Sequence, residues 1–284
     1  MLKEEKRVEV LEVPIDQIGF FDVLKKIERF VGSGGPHQIA TVNPEFIIHS
    51  TENEDFKKAL QESSLNTADG TGIVWASKFI RIKNKESGIE NKLIKFISKV
   101  FWLKITLLAV LFDRKWLSSE IPERVTGIDL MWELANRAQE RGWRVFLLGG
   151  AEGVADEVAE KLKTLYPRIN IIGVSAPRVN DDGIPEEDGV LEKVAATKPD
   201  ILFVAFGSPK QEIFIHNNLK KLGAKVVIGV GGSFDFIIGK AKRAPKLFQK
   251  LGIEWLWRLF QQPKRVNRIW NAFPRFVWKV FRSK

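Results

Sequence analysis

WRVFLLGGAEGVADEVAEKLKTLYPRINIIGVSAP, residues 143–177, decides the fold. WRVFLLGG is an apolar run too short for a helix, closed by a glycine pair, and reads as a buried strand. AEGVADEVAEKLKTLYP then carries its apolar residues at helical spacing, and NIIGVSAP returns to a strand. Downstream the alternation continues. PEEDGVLEKVAATKP and KQEIFIHNNLKKLG read as helices; DILFVAFGSP and KVVIGVGGSFDF read as strands, the last with a glycine turn. Upstream, TGIDLMWELANRAQERG is an amphipathic helix closed by Gly142. Strands alternating with helices of these lengths need right-handed crossovers and a parallel sheet covered on both faces. The predicted fold class is α/β, a Rossmann-like parallel sheet flanked by helices. Such sheets bind ligands beyond the carboxyl ends of their strands, where LLGGAEG, VAFGSPKQE and GVGGSFD lie.

Toward the N-terminus the pattern predicts a strand, a helix near residues 22–31, and then strand, helix, strand, helix over residues 36–76. HQIATVN is the first of those strands, PEFIIHSTENEDFKKALQES the following helix, and SLNTADGTGIVWASKFI passes through an Asp-Gly turn into an apolar helix. The opening MLKEEKRVEVLEVPID has no apolar run with a small-residue cleavage site, so a cytoplasmic location is expected. With 284 residues, 44% hydrophobic and 28% charged, the chain is globular and long enough for a sizeable core. Cysteine is absent, which excludes disulfides, thiolate metal sites and cysteine nucleophiles. His37, His49 and His216 fit no common zinc spacing.

Two segments stand apart. Residues 240–284 hold thirteen of the 45 basic residues and one of the 35 acidic ones, so a net +12 sits on a body of net −2. Five bulky aromatics, Trp270, Phe273, Phe276, Trp278 and Phe281, accompany that charge, a combination suited to an anionic membrane surface or a nucleic acid. In residues 275–282, Arg275, Lys279 and Arg282 fall on one helical face and Phe276, Val277, Val280 and Phe281 on the other, which predicts an in-plane interfacial helix. The second segment, 82–120, contains LIKFISKVFWLKITLLAVLF. As a helix its twenty residues from 93 to 112 would span about 30 Å. Lys104 near the middle costs about 2.5–3.5 kcal/mol, against about 0.3–0.6 kcal/mol from each Leu, Ile, Val or Phe. A single crossing would also split one sheet across the membrane. The expectation is therefore an in-plane or re-entrant apolar element on the cytoplasmic leaflet, with packing on the protein's own core or a sister subunit as the alternative.

Neither GxGxxG nor GxxxxGKS/T is present, which counts against nicotinamide and P-loop chemistry. No DxD pair is present either, and the adjacent Asp181 and Asp182 lie in a polar turn. Gly149, Gly150 and the 229–232 turn could offer backbone N–H groups to a phosphate, or simply make tight turns. Asp69, at a probable strand end before a helix, suits a helix cap or a general base, and spacing alone favours the cap. Lys210 and Gln211 stand at a helix start at the mouth of the sheet. Arg258, Arg265 and Arg268 share a helical face if Pro263 keeps the register; such a stripe suits a diphosphate, although a solvated charged face is commoner.

Taken together, seven blocks occur in the order expected of one family: TVNPEF (41–46), ADGTGIVWASK (68–78), PERVTGIDL (122–130), VFLLGG (145–150), FGSPKQE (206–212), GVGGSFDF (229–236) and KRAPKLFQKLGIEWLWRLFQQPKR (242–265). The chain resembles the WecG/TagA/CpsF bacterial glycosyltransferases throughout, except in 82–120. The resemblance implies transfer of a hexose or N-acetylhexosamine, N-acetylmannosamine-type foremost, from a UDP-sugar donor to a polyprenyl-diphosphate-linked sugar acceptor at the cytoplasmic face of the membrane. The products feed teichoic acid or other cell-surface polysaccharides. It implies inversion at the anomeric carbon, no metal and no cofactor. Asp69 matches the family's proposed general base, and Thr41 and Asn43 the polar pair beside it. Arg124, Gln211 and Asp235 match positions that contact the nucleotide-sugar. Arg258, Arg265 and Arg268 match arginines of a C-terminal appendage that closes over the diphosphate. The expected domains are an α/β core, 1–239, interrupted by the insertion 82–120, and a helical, cationic, membrane-associating appendage, 240–284. Expected partners are the two substrates and an anionic membrane, with no nucleic acid and a homo-oligomer left open. A UDP-glucose donor is the nearest variant of this reading. A nucleic-acid binder using the basic tail is the non-enzyme rival, and the absence of any nucleic-acid module counts against it.

Overall fold

The structure, a computed structural model, describes residues 6–86, 88–252, 254–261 and 266–283, apart from the side chains of Lys250, Leu251, Trp255, Arg258 and Asn267. The strands are β1 (Arg7–Val10), β2 (Val13–Asp16), β3 (His37–Val42), β4 (Leu65–Ala68), β5 (Arg144–Gly149), β6 (Asn170–Ser175), β7 (Ile201–Ala205) and β8 (Val226–Gly229). Helices α1 (Phe20–Ser33), α2 (Pro44–Ser50), α3 (Glu54–Gln61), α4 (Thr71–Lys85), α5 (Lys92–Phe112), α6 (Arg114–Leu117) and α7 (Gly127–Arg141) lie in the first half. The second half adds α8 (Val154–Leu165), α9 (Val190–Thr197), α10 (Lys210–Asn218), α11 (Ser233–Ile237), α12 (Lys246–Leu251), α13 (Glu254–Gln261) and α14 (Val266–Trp270). A π-helical turn, Asn271–Arg275, leads into α15 (Phe276–Arg282).

Six strands form one sheet in the order β4-β3-β8-β7-β5-β6, every pair parallel, as the alternation of apolar runs requires. The sheet is apolar on both faces. Ile39, Val145, Leu147, Ile201, Phe203, Val226 and Ile228 point into one core, with α1, α7 and α8. Phe146, Leu148, Leu202, Val204 and Val227 point the other way, under α9 and α10. On that same side Ala40 and Val42 meet α2, α3, α4 and the C-terminal α15.

Three local readings of the sequence differ from the structure. The opening VEVLEV reads as one strand but is a hairpin, β1 antiparallel to β2, forming a separate two-stranded sheet. Its turn residues Leu11 and Glu12 take φ of 50° and 70° without the glycine or asparagine that usually announces such a turn. The helix read over PEFIIHSTENEDFKKALQES is two, because the Asn53 side chain accepts from Phe56 N at 2.8 Å and caps α3. In KVVIGVGGSFDF the strand stops at Gly229 and SFDFI is a short helix.

The centre of the 82–120 segment is helix α5, docked on α4 and followed by the short α6, with Trp102, Leu103, Leu107 and Val110 packed partly buried against the core. Thr106 and Ala109 are its buried positions, and Thr106 Oγ1 accepts the indole N–H of Trp75 at 3.0 Å. Large apolar residues occupy its outer face. Among the described residues no helix is long and apolar enough to cross a membrane. The apolar face of α15 is not interfacial as expected. Phe276 and Val280 are buried in the core, while Arg275 pairs with Glu52 and Lys279 Nζ donates to Thr51 Oγ1 at 2.6 Å.

Replacing Thr106 by Val leaves the buried Trp75 N–H without an acceptor, which costs about 1–3 kcal/mol. Thr106→Val should therefore lower the thermal unfolding midpoint, and Thr106→Ser should restore most of it.

Candidate active site

Four adjacent strand ends build one polar cavity of about 140 Å³. Thr41 and Asn43 come from the end of β3, Asp69 from the end of β4, Gly207 from the end of β7, and Gly231 and Asp235 from the end of β8. Parallel pairing in register, Val42 beside Ala68 and Ala40 beside Gly229, makes these distant segments neighbours. Thr41 Oγ1 donates to Gly229 O at 3.3 Å and stitches two of them together. Asn43 caps α2, its Oδ1 accepting from Phe46 N at 3.1 Å, and still lines the cavity.

Asp69 is not a helix cap. The N-cap of α4 is Gly70, at φ 123°, which has no side chain to cap the first turn. Gly72 lets α4 start against α2, because a Cβ there would fall 2.6 Å from Pro44 Cγ. Asp69 itself is half-buried at the mouth of the sheet.

Gln211 is buried within the same wall. Its Oε1 accepts from Gly231 N at 2.9 Å and its amide donates to Glu212 Oε1 at 2.6 Å, so it shapes the glycine turn after β8. Gly229 must lack a side chain here, since a Cβ would lie 2.4 Å from Gln211 Nε2 and from Glu212 Oε1. Burial pushes the Glu212 carboxyl up to about 8. Asp235 lines the cavity, and its side chain makes no hydrogen bond among the described residues.

The cations are arranged differently from the predicted stripe. Arg268 lines the cavity and grips Glu45 with two hydrogen bonds, 2.7 and 2.8 Å. The Arg258 side chain and Arg265 lie outside the described residues. Arg124 does not line the cavity; it donates to Glu254 Oε1 at 2.9 Å and so fixes a carboxylate that does. Two lining cations lay in the quoted KRAPK block without an assigned role, Lys242 and Arg243. Arg243 forks onto Asp129 at 2.6 and 2.8 Å. Burial alone would raise the Asp129 carboxyl, but the hydrogen bonds from Arg243 and Thr126 hold it below the usual range. The hydrogen bonds to Asp129 chiefly raise Arg243, and the charges of Glu254 and Asp69 add to them. No spacing in the sequence links residues 129 and 243; only folding of the C-terminal segment over the sheet joins them. No group of three His, Asp or Glu side chains is placed to hold a metal ion among the described residues.

A second cavity of about 230 Å³ adjoins the first and shares Asn43, Asp69, Glu254 and Arg268 with it. Its other walls are mostly apolar, with Trp75 from α4, Leu107 and Val110 from α5, and Phe273, Phe276 and Val277 from the C-terminal helices. Asp69 thus stands where a polar pocket meets an apolar groove.

The sequence pattern of the glycosyl transferase WecG/TagA/CpsF family matches residues 8–100 and 109–284. The chain belongs to this family. The interruption, 101–108, lies within α5 and is narrower than the 82–120 stretch set aside from the sequence. A relative from Bacillus spizizenii is 30% identical over 277 residues, covering 95% of this chain and 91% of its own length. One from Staphylococcus aureus (strain MRSA252) is 28% identical over 282 residues, covering 98% and 93%. Both are named N-acetylglucosaminyldiphosphoundecaprenol N-acetyl-beta-D-mannosaminyltransferase.

Glu212 yields a pH prediction. Its carboxyl holds a proton more tightly folded, at about 8, than unfolded, near 4.5, so between those values the native chain binds more protons. Stability then falls as pH rises through that window and is fully present below it. Glu212→Gln keeps the shape without the titration. Its urea midpoint should fall less than that of the wild type between pH 5 and pH 8.5.

Proposed function

We propose that this member of the WecG/TagA/CpsF family moves an N-acetylmannosamine-type hexosamine from a UDP-sugar to a polyprenyl-diphosphate-linked sugar, with inversion and without a metal, working peripherally at the cytoplasmic face of a membrane. The observation that carries the reading is the position of Asp69, which lines both the polar cavity and the apolar groove. A nucleotide-sugar suits the first: Lys242, Arg243 and Arg268 offer positive charge, and Gly207, Gly231 and Gly232 bring backbone close. A prenyl chain suits the second. The relatives' names join the same two chemistries, a sugar transferred and a lipid diphosphate that receives it.

In this reading the acceptor hydroxyl lies at the seam. Asp69 takes its proton as the oxygen attacks the anomeric carbon from the face opposite the leaving group. The bond from that carbon to the diphosphate oxygen breaks, and its electron pair leaves with UDP. In-line displacement inverts the centre. Charge developing on the diphosphate is met by Arg243, Lys242 and Arg268, held near a site that the glycine turns keep narrow. Asp235 is placed to accept from the uridine. Arg124 acts through Glu254, which it orients at the same seam.

The reading is tested by offering a panel of UDP-sugars with a short-chain polyprenyl-diphosphate-GlcNAc acceptor and following product by mass spectrometry. UDP-N-acetylmannosamine should give the highest turnover, and EDTA should leave it unchanged. Asp69→Asn should lower kcat by about two to four orders of magnitude while UDP-sugar binding stays near wild type. Should Glu254→Gln lose kcat instead, the base is Glu254. Arg243→Ala should weaken UDP binding by about tenfold to a hundredfold, the loss of a charge-assisted contact.

A further inference from the structure

Helix α5 is apolar on its outer side as well as its inner one. It docks with Thr106 and Ala109 buried and with Trp102, Leu103, Leu107 and Val110 partly buried against the core. The outer stripe runs Leu93, Ile97, Phe101, Leu108, Leu111 and Phe112, from 48% to 81% exposed. These residues share one helical face, on which the charged Lys104 fills the gap between Phe101 and Leu108. A stripe of this length and polarity left in water is unusual for a soluble surface and marks a contact.

We propose that this stripe is a docking surface for a bilayer with anionic headgroups, on which α5 lies in plane. Charge selects the occupant. The helix carries Lys92, Lys95, Lys99 and Lys104 and no acid. Two such faces brought together would set like charges against each other in the apolar contact, whereas lysines flanking an apolar stripe match anionic lipid. The surface also continues onto exposed aromatics of the C-terminal helices. Phe96 meets Phe281 edge-on at 6.4 Å, Phe281 stacks on Trp278 at 6.1 Å, and Trp278, like Trp270 and Phe273, is exposed. Such rings favour the boundary between lipid and water. Finally, the inner edge of α5 leads to the site: Leu107 and Val110 wall the apolar groove that ends at Asp69. A helix bedded in the leaflet would hold that groove against the lipid from which a prenyl-linked acceptor must come. The direction of delivery rests on the proposed function; the docking itself does not. Phe101 and Leu108 of the stripe fall in the interruption of the family pattern, 101–108.

The test uses the full chain. Wild type should float with vesicles of phosphatidylglycerol and phosphatidylcholine, and much less with phosphatidylcholine alone. The triple variant Ile97→Ser, Phe101→Ser, Leu108→Ser changes only exposed residues. It should bind the anionic vesicles at least about tenfold more weakly. Its circular dichroism and size-exclusion volume should be unchanged, and its turnover of a water-soluble acceptor should stay within about twofold of wild type. Because the chain has no cysteine, Leu108→Cys carries a single environment-sensitive dye. Its emission should shift to the blue on anionic vesicles. The proposal is overturned if the triple variant floats like wild type or the dye does not respond. It is equally overturned if wild type is an oligomer that the triple variant dissociates, which would make a second copy the occupant. Vesicle binding is read without turnover, so failure of the transfer reaction with every acceptor would count against the proposed function and leave this result standing.

Discussion

Strand β3 is hydrogen-bonded on both sides, to β4 and to β8, and each pairing is parallel and in fixed register. A one-residue slip would turn every side chain of a strand to the opposite core, so register is strongly enforced where both faces are apolar. That constraint delivers residues 41–43, 69–72 and 229–235 to one edge. Strands β7 and β8, at the centre of the sheet, are buried and apolar along their length. The polar cavity lies beyond the carboxyl ends, where the chain leaves the sheet and water reaches it.

Around that edge the structure uses close approach more than charge. Gly229 admits Gln211 and Glu212, and Gly72 admits Pro44. The buried pair Gln211 and Glu212 then fixes the glycine turn that frames the polar cavity. Charge arrives last, from the C-terminal segment, through Arg243 on Asp129 and Arg268 on Glu45. These pairs hold the segment over the sheet and leave cations at the cavity rim. The segment's aromatic residues meanwhile close the apolar groove together with α5. One fold-over therefore completes both halves of the site.

The two cavities differ in chemistry for a structural reason. The polar one is lined by strand ends and turns, whose backbone groups are not used up in the sheet. The groove is lined by helix faces, whose backbone groups are satisfied internally and which offer only side chains. A transferase that must meet a charged donor and a lipid-linked acceptor needs both environments within reach of one carboxylate. Asp69, the first residue past β4, stands at their boundary.

Much of this was legible in the residues. Alternating apolar runs and helical spacings determined an all-parallel α/β sheet, because strands covered on both faces are mostly apolar runs. Asp69, Thr41, Asn43, Gln211 and Asp235 stood out as polar residues at strand ends or in ordered blocks, and folding gathers them around one cavity. Local signals failed where a turn lacked its usual residues, as at Leu11 and Glu12, or where one capping asparagine broke a continuous helical pattern. Contacts between segments far apart in the chain were decided by tertiary structure alone. The pairing of Arg243 with Asp129, the retreat of Arg124 to Glu254, and the burial of the apolar face of α15 depend on which surface the C-terminal segment meets. The same holds for α5. Its sequence determined that it is helical and apolar, but which face turns inward depends on what it meets there: the Trp75 indole, which donates to Thr106, and the core against which Trp102, Leu103, Leu107 and Val110 pack.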